Sequence, residues 1–177
     1  NRKAARIAGR LMGQFLGGTG KIAVVSSAIA SENNNYYVQV RETEFADFIH
    51  KEYPDIEIIT TLDSFEDPQI TYEKTVKLLR DYQDLQGIYI TCGGVSQVGR
   101  ALEESGRAKD IRVISFEDYP EVVDLIRKDV IDCTLAGELQ QQGEIPVQII
   151  MDYLVFGKEP EQQQIFTDIR VLVKESL

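Results

Sequence analysis

Short apolar runs that alternate with stretches of helical periodicity narrow the possible folds of this chain more than any other feature. Residues 21–26 (KIAVVS), 57–61, 87–91, 112–116 and 134–136 read as strands. Between them the spacing of apolar residues predicts helices over 37–53, 68–82, 95–104 and 120–128, with one more over 2–16 ahead of the first strand and one over 141–156 after the last. Gly17-Gly18 and Pro54 close helices, and Pro68 and Pro120 open them. Residues 164–173 are expected to be extended. This alternation implies an α/β fold with a parallel sheet sandwiched by helices, because parallel neighbours need a crossover that the helices supply. Such sheets bind ligands outside the carboxyl ends of their strands. The segments to watch are therefore 26–36, 62–67, 91–95, 117–119 and 137–139. Glycines at 17–20 and at Gly137 mark where the chain is expected to pass between subdomains.

Composition excludes several functions. With a net charge of -10 and no basic run, the chain has no long-range attraction for nucleic acid or an anionic membrane, so DNA contact would need another segment. Cys92 and Cys133 lack metal-ligand spacing and read as buried small hydrophobes. The only histidine, His50, sits where a helix ends, which argues against a Ser-His-Asp or Cys-His catalytic set. The stretch DSFEDP offers Asp63, Glu66 and Asp67, but without EF-hand spacing they read as carboxylates at a helix start. No run is long and apolar enough to span a membrane, and no signal peptide is read. The chain starts at Asn1 within a helix pattern, so an upstream segment is expected. The glycine turn in ITCGGVSQVGRAL completes neither a dinucleotide nor a P-loop motif, so no phosphate cofactor is implied.

Three residues near the strand ends have a bland and a functional explanation each. Arg41, in the first turns of a helix, can fork onto hydroxyls or a carboxylate in a cleft, or pair at the surface with Glu44 or Asp47. Phe65, an aromatic in a polar loop, can pack on a sugar face or plug the core. Glu117 can accept hydrogen bonds from adjacent hydroxyls or cap the helix beginning near Pro120.

The ordered set AGRLMGQFL, GKIAVVS, VRETEF, DSF, YITCGGVSQVGRAL, VISFEDYPE, CTLAGELQQQG and VLVKES resembles the periplasmic-binding-protein-like effector domain of the lac repressor family and its relatives, the ribose-binding-type solute receptors. The resemblance implies a type I periplasmic-binding-protein-like fold with most of the first subdomain absent: residues 1–18 as its last helix, 19–137 as the second subdomain, and 138–177 as the return helix and terminal strand. It carries ligand contacts onto Arg41, Phe65 and Glu117. It places Thr91 and Cys92 where the family has an asparagine–aspartate pair, and Gly137 where it has a glutamine. By the same comparison the chain would be the sensor of a sugar-like effector in a cytoplasmic transcriptional repressor, with no enzymatic activity, cofactor or metal expected. Operator DNA would be bound only through a helix-turn-helix headpiece outside this sequence. A homodimer would use residues 95–104 and the segment after Phe116. The alternative implied is an extracytoplasmic sugar-binding protein of a transport system.

Overall fold

The computed structural model describes residues 1–27 and 36–177. The expected strand-end segment 26–36 therefore falls largely outside the described residues. In chain order the elements are α1 (Arg2–Phe15), β1 (Thr19–Ser26), α2 (Tyr36–Glu52), β2 (Asp55–Asp63), α3 (Pro68–Asp81), β3 (Leu85–Ile90), α4 (Val95–Ser105), β4 (Arg112–Phe116), α5 (Pro120–Arg127), β5 (Cys133–Gly137), α6 (Leu139–Phe156) and β6 (Ile169–Leu172), followed by a short 3-10 turn. They form the expected α/β fold around one six-stranded sheet in the order β2-β1-β3-β4-β5-β6. The first five strands pair in parallel. The extended tail narrows to β6, which runs antiparallel along β5, with Leu135 opposite Val171. An antiparallel strand at the margin closes a parallel sheet without another crossover helix.

The central strands are apolar in both directions because both faces are covered. On one face Ala23, Val25, Ile88 and Ile90 pack against Leu78 and Leu79 of α3, Val98 and Leu102 of α4, and Val122 and Ile126 of α5. On the other, Ile22, Val24, Tyr89, Ile114 and Leu135 pack against Ala4, Ala8 and Met12 of α1 and Phe45 and Ile49 of α2. Small residues let α1 approach α2 closely: a Cβ on Gly13 would lie 2.1 Å from the Tyr53 ring. Thus α1, expected to belong to a first subdomain, shares the core of this sheet. Helix α6 behaves differently, with no buried residue and with Leu154, Val155 and Phe156 all exposed.

Helix α3 shows how local sequence sets a boundary. Asp67 is its N-cap, accepting a 2.8 Å hydrogen bond from the Ile70 amide, and Pro68 follows at the first helical position. Asp67→Ala is expected to destabilise the fold by about 1 kcal/mol, read as a lowered urea midpoint at unchanged slope.

Candidate functional site

The parallel strands bring Ser26-Ser27, Asp63, Thr91, Glu117 and Gly137 to one edge of the sheet. Arg41 reaches this edge from α2, which is anchored by Val38, Phe45 and Ile49. Its guanidinium spans three elements. Nη1 donates to the Thr91 carbonyl at 3.0 Å, Nη2 to Glu117 Oε1 at 3.3 Å, and Nε to Asn1 Oδ1 at 2.8 Å. The same group stacks over the Phe116 ring, 4.0 Å from its centroid. The expected surface partner Glu44 instead pairs with Arg2 at 3.2 Å. The Arg41 side chain is only 16% exposed, so its ion pair with Glu117 is partly shielded from water and stronger than a surface pair.

Glu117 does not cap α5. That cap position is Tyr119, whose side chain makes no capping bond. Glu117 sits at φ 69, in the left-handed region that a non-glycine residue adopts only when its surroundings hold it there. The holding bonds are visible: its amide donates to the Leu135 carbonyl at 2.9 Å and its carbonyl accepts from the Thr134 hydroxyl at 2.7 Å.

The other sequence candidates fare unequally. Thr91 is fully buried and its hydroxyl donates to the Val25 carbonyl at 3.2 Å, so its side chain faces the sheet and only its carbonyl serves the site, by holding Arg41. Cys92 does line the cleft, but its thiol lies 3.3 Å from Ser64 Oγ and burial pushes its pKa up. Cys133 is deeper, and burial raises it to about 12. Both are poor nucleophiles at neutral pH. Gly137 lies beside a larger groove and offers no side-chain group. Phe65, at φ 52, is 53% exposed with the Lys74 ammonium 4.3 Å from its ring centre. It is neither a core plug nor among the residues lining the two cavities described next.

Those cavities meet at Arg41 and Glu117. A pocket of about 270 Å³ is lined by Arg41, Glu66, Cys92, Gly93, Phe116 and Glu117, among others. A groove of about 990 Å³ continues past Gly137 to Leu139 and Gln142 of α6. Together they present a fixed cation, carboxylates and an aromatic ring beside open space, which suits a polar ligand with several hydroxyls. Among the described residues no cluster of His, Cys, Asp or Glu is arranged to hold a metal. The Gly93-Gly94 turn lines this pocket, and position 94 calls for glycine twice over, by its φ of 92 and because a Cβ there would lie 2.8 Å from Thr71. Sequence reasoning missed Glu66 as a cleft residue by grouping it with the helix-start carboxylates. Only Asp67 has that role.

Comparison with known proteins places this geometry in context. The family described as a periplasmic binding protein domain matches residues 1–159. Among solved structures, a sugar ABC transporter sugar-binding protein from Bacillus halodurans is 27% identical with a TM-score of 0.85, over 99% of this chain and 62% of that one. A glucose-galactose binding protein from Geobacillus stearothermophilus is 22% identical, TM-score 0.85, over 100% and 61%. A solute-binding protein from Burkholderia graminis in complex with D-arabinose is 21% identical, TM-score 0.85, over 99% and 60%. The chain thus spans about three fifths of the length of these structures. No curated protein matches it.

Proposed function

Because the chain belongs to the periplasmic binding protein domain family, we propose that it is one lobe of a sugar-binding protein, with Arg41, Glu117 and Phe116 forming one wall of the ligand cleft. The observation that carries this is the guanidinium fixed by Thr91, Glu117 and the Phe116 ring at the carboxyl edge of the sheet. A group so held pays little further entropy when a ligand hydroxyl replaces water on its remaining N–H bonds. Helix α6, apolar and without a buried residue, is the surface on which a second lobe would pack. The solved structures described as sugar-binding proteins of ABC transporters favour a solute receptor of a transport system. The sequence resemblance to the lac repressor family supports a second reading, an effector sensor of a DNA-bound regulator. In that reading a homodimer would form through α4 and the segment after Phe116.

The first test is thermal unfolding of the full-length protein with D-glucose, D-galactose and D-arabinose. The cognate sugar at about a hundredfold above its Kd is expected to add about 2.7 kcal/mol to stability, a clear upward shift in Tm. No shift with any aldose sinks the sugar reading. A gel shift of the same protein on DNA upstream of its own gene separates the two readings: sugar-dependent retardation supports the regulator, and none supports the receptor.

A further inference from the structure

Glu66 has an arrangement that neither the helix start nor the fold requires. It follows Phe65 with φ 54 after φ 52, two successive non-glycine residues in the left-handed region. Asp63 Oδ1 holds the Phe65 amide at 3.0 Å and Ser64 Oγ holds the Glu66 amide at 3.2 Å. This turn leaves the capping of α3 to Asp67 and puts Glu66 on the wall of the Arg41 pocket. There its Oε1 accepts a 3.0 Å hydrogen bond from Ser27 Oγ at the end of β1, while Oε2 takes no hydrogen bond among the described residues. The charge balance of the pocket is uneven. Among the described residues its lining carries one guanidinium, Arg41, against the carboxylates of Glu66, Glu117 and Glu121, and Glu117 already neutralises Arg41. Glu66 therefore presents a positioned acceptor with uncompensated charge to whatever enters.

We propose that Glu66 is a specificity-determining residue that selects an uncharged or amine-bearing polyol and rejects anionic sugars such as sugar acids and sugar phosphates. A hydroxyl or ammonium donates to Oε2, whereas a carboxylate or phosphate brought beside it is repelled, the more so as water leaves the cleft. This rests on the sugar-binding reading of the same pocket.

The experiment is calorimetric titration of the full-length protein and its Glu66→Gln variant with D-glucose, D-galactose and D-arabinose, and with the amino, uronate and terminal-phosphate derivatives of the two hexoses. The amide keeps an oxygen for Ser27, removes the charge and turns the ligand-facing acceptor into an NH2 donor. In the parent protein the neutral or amino sugar is expected to bind at least roughly tenfold more tightly than its acid or phosphate. In Glu66→Gln the neutral and amino sugars are expected to bind more weakly, because a charged acceptor is lost, and their margin over the acid and phosphate is expected to shrink by roughly tenfold. An acid or phosphate that binds the parent protein as tightly as the neutral sugar overturns the inference and leaves the sugar reading standing. An undiminished margin in the variant removes Glu66 from the role. If no compound binds, the sugar reading falls and takes this inference with it.

Discussion

Arg41→Ala is expected to weaken sugar binding by roughly ten- to a hundredfold and to leave the lobe folded. Each charge-assisted hydrogen bond from the guanidinium is worth about 1.5 to 3 kcal/mol, and about 1.4 kcal/mol is a factor of ten. The change removes the donors that tie α2 to Thr91 and Glu117 and uncovers the Phe116 ring. It also leaves Glu117, at 32% side-chain exposure, without its countercharge. The helix itself keeps Val38, Phe45 and Ile49 in the core, so far-ultraviolet circular dichroism should be unchanged. Arg41→Lys should recover only part of the affinity, because an ammonium cannot reach carbonyl, carboxylate and ligand with the same planar fork. Titration with the sugar identified by thermal shift decides the matter: equal affinities for parent and alanine variant would remove Arg41 from the site.

The largest loss of stability is expected for Phe45→Ala, about 3 to 5 kcal/mol in denaturant unfolding. Phe45 is fully buried and stacks on Tyr89, ring centres 4.0 Å apart, where α2 meets the middle of the sheet. Truncation opens a cavity between α2 and β3 in a region packed from both sides, and the neighbouring Ile22 and Ile114, also fully buried, have little room to close it. A loss below about 1 kcal/mol would mean that the interior collapses around the gap, contrary to the packing described. Because Phe45 lies one turn beyond Arg41, the folded fraction of this variant should also bind sugar less tightly.

How much of this was legible in the sequence depended on how far apart the partners lie. Glycine and proline punctuation located α1 through α5 to within a residue or two, since those signals act locally. β2 runs from Asp55 to Asp63, longer than the 57–61 read from its apolar residues, because strand length comes from pairing with β1. The direction of β6 was not readable, for no residue pattern distinguishes an antiparallel edge from a parallel one. At the site, Arg41 and Glu117 were legible as candidates, but their pairing joins residues 76 positions apart and only the fold could show it. Thr91 is a candidate because it falls where the family has an asparagine, yet its hydroxyl faces the sheet. Glu66 was obscured because a carboxylate just before a helix ordinarily serves the helix.

The unequal covering of the elements sets the time on which each part of the cleft can rearrange. Amides of β1 and β3, on strands paired on both sides and roofed by helices on both faces, are expected to exchange with solvent deuterium only when the whole sheet opens, so that Thr91 and the base of the Arg41 pocket persist between such events. Helix α6, with nothing buried, can lose its amide protection turn by turn at far smaller cost. A ligand arriving at this edge would therefore meet one wall that is effectively permanent and another, towards Leu139 and Gln142, whose order depends on what α6 leans against.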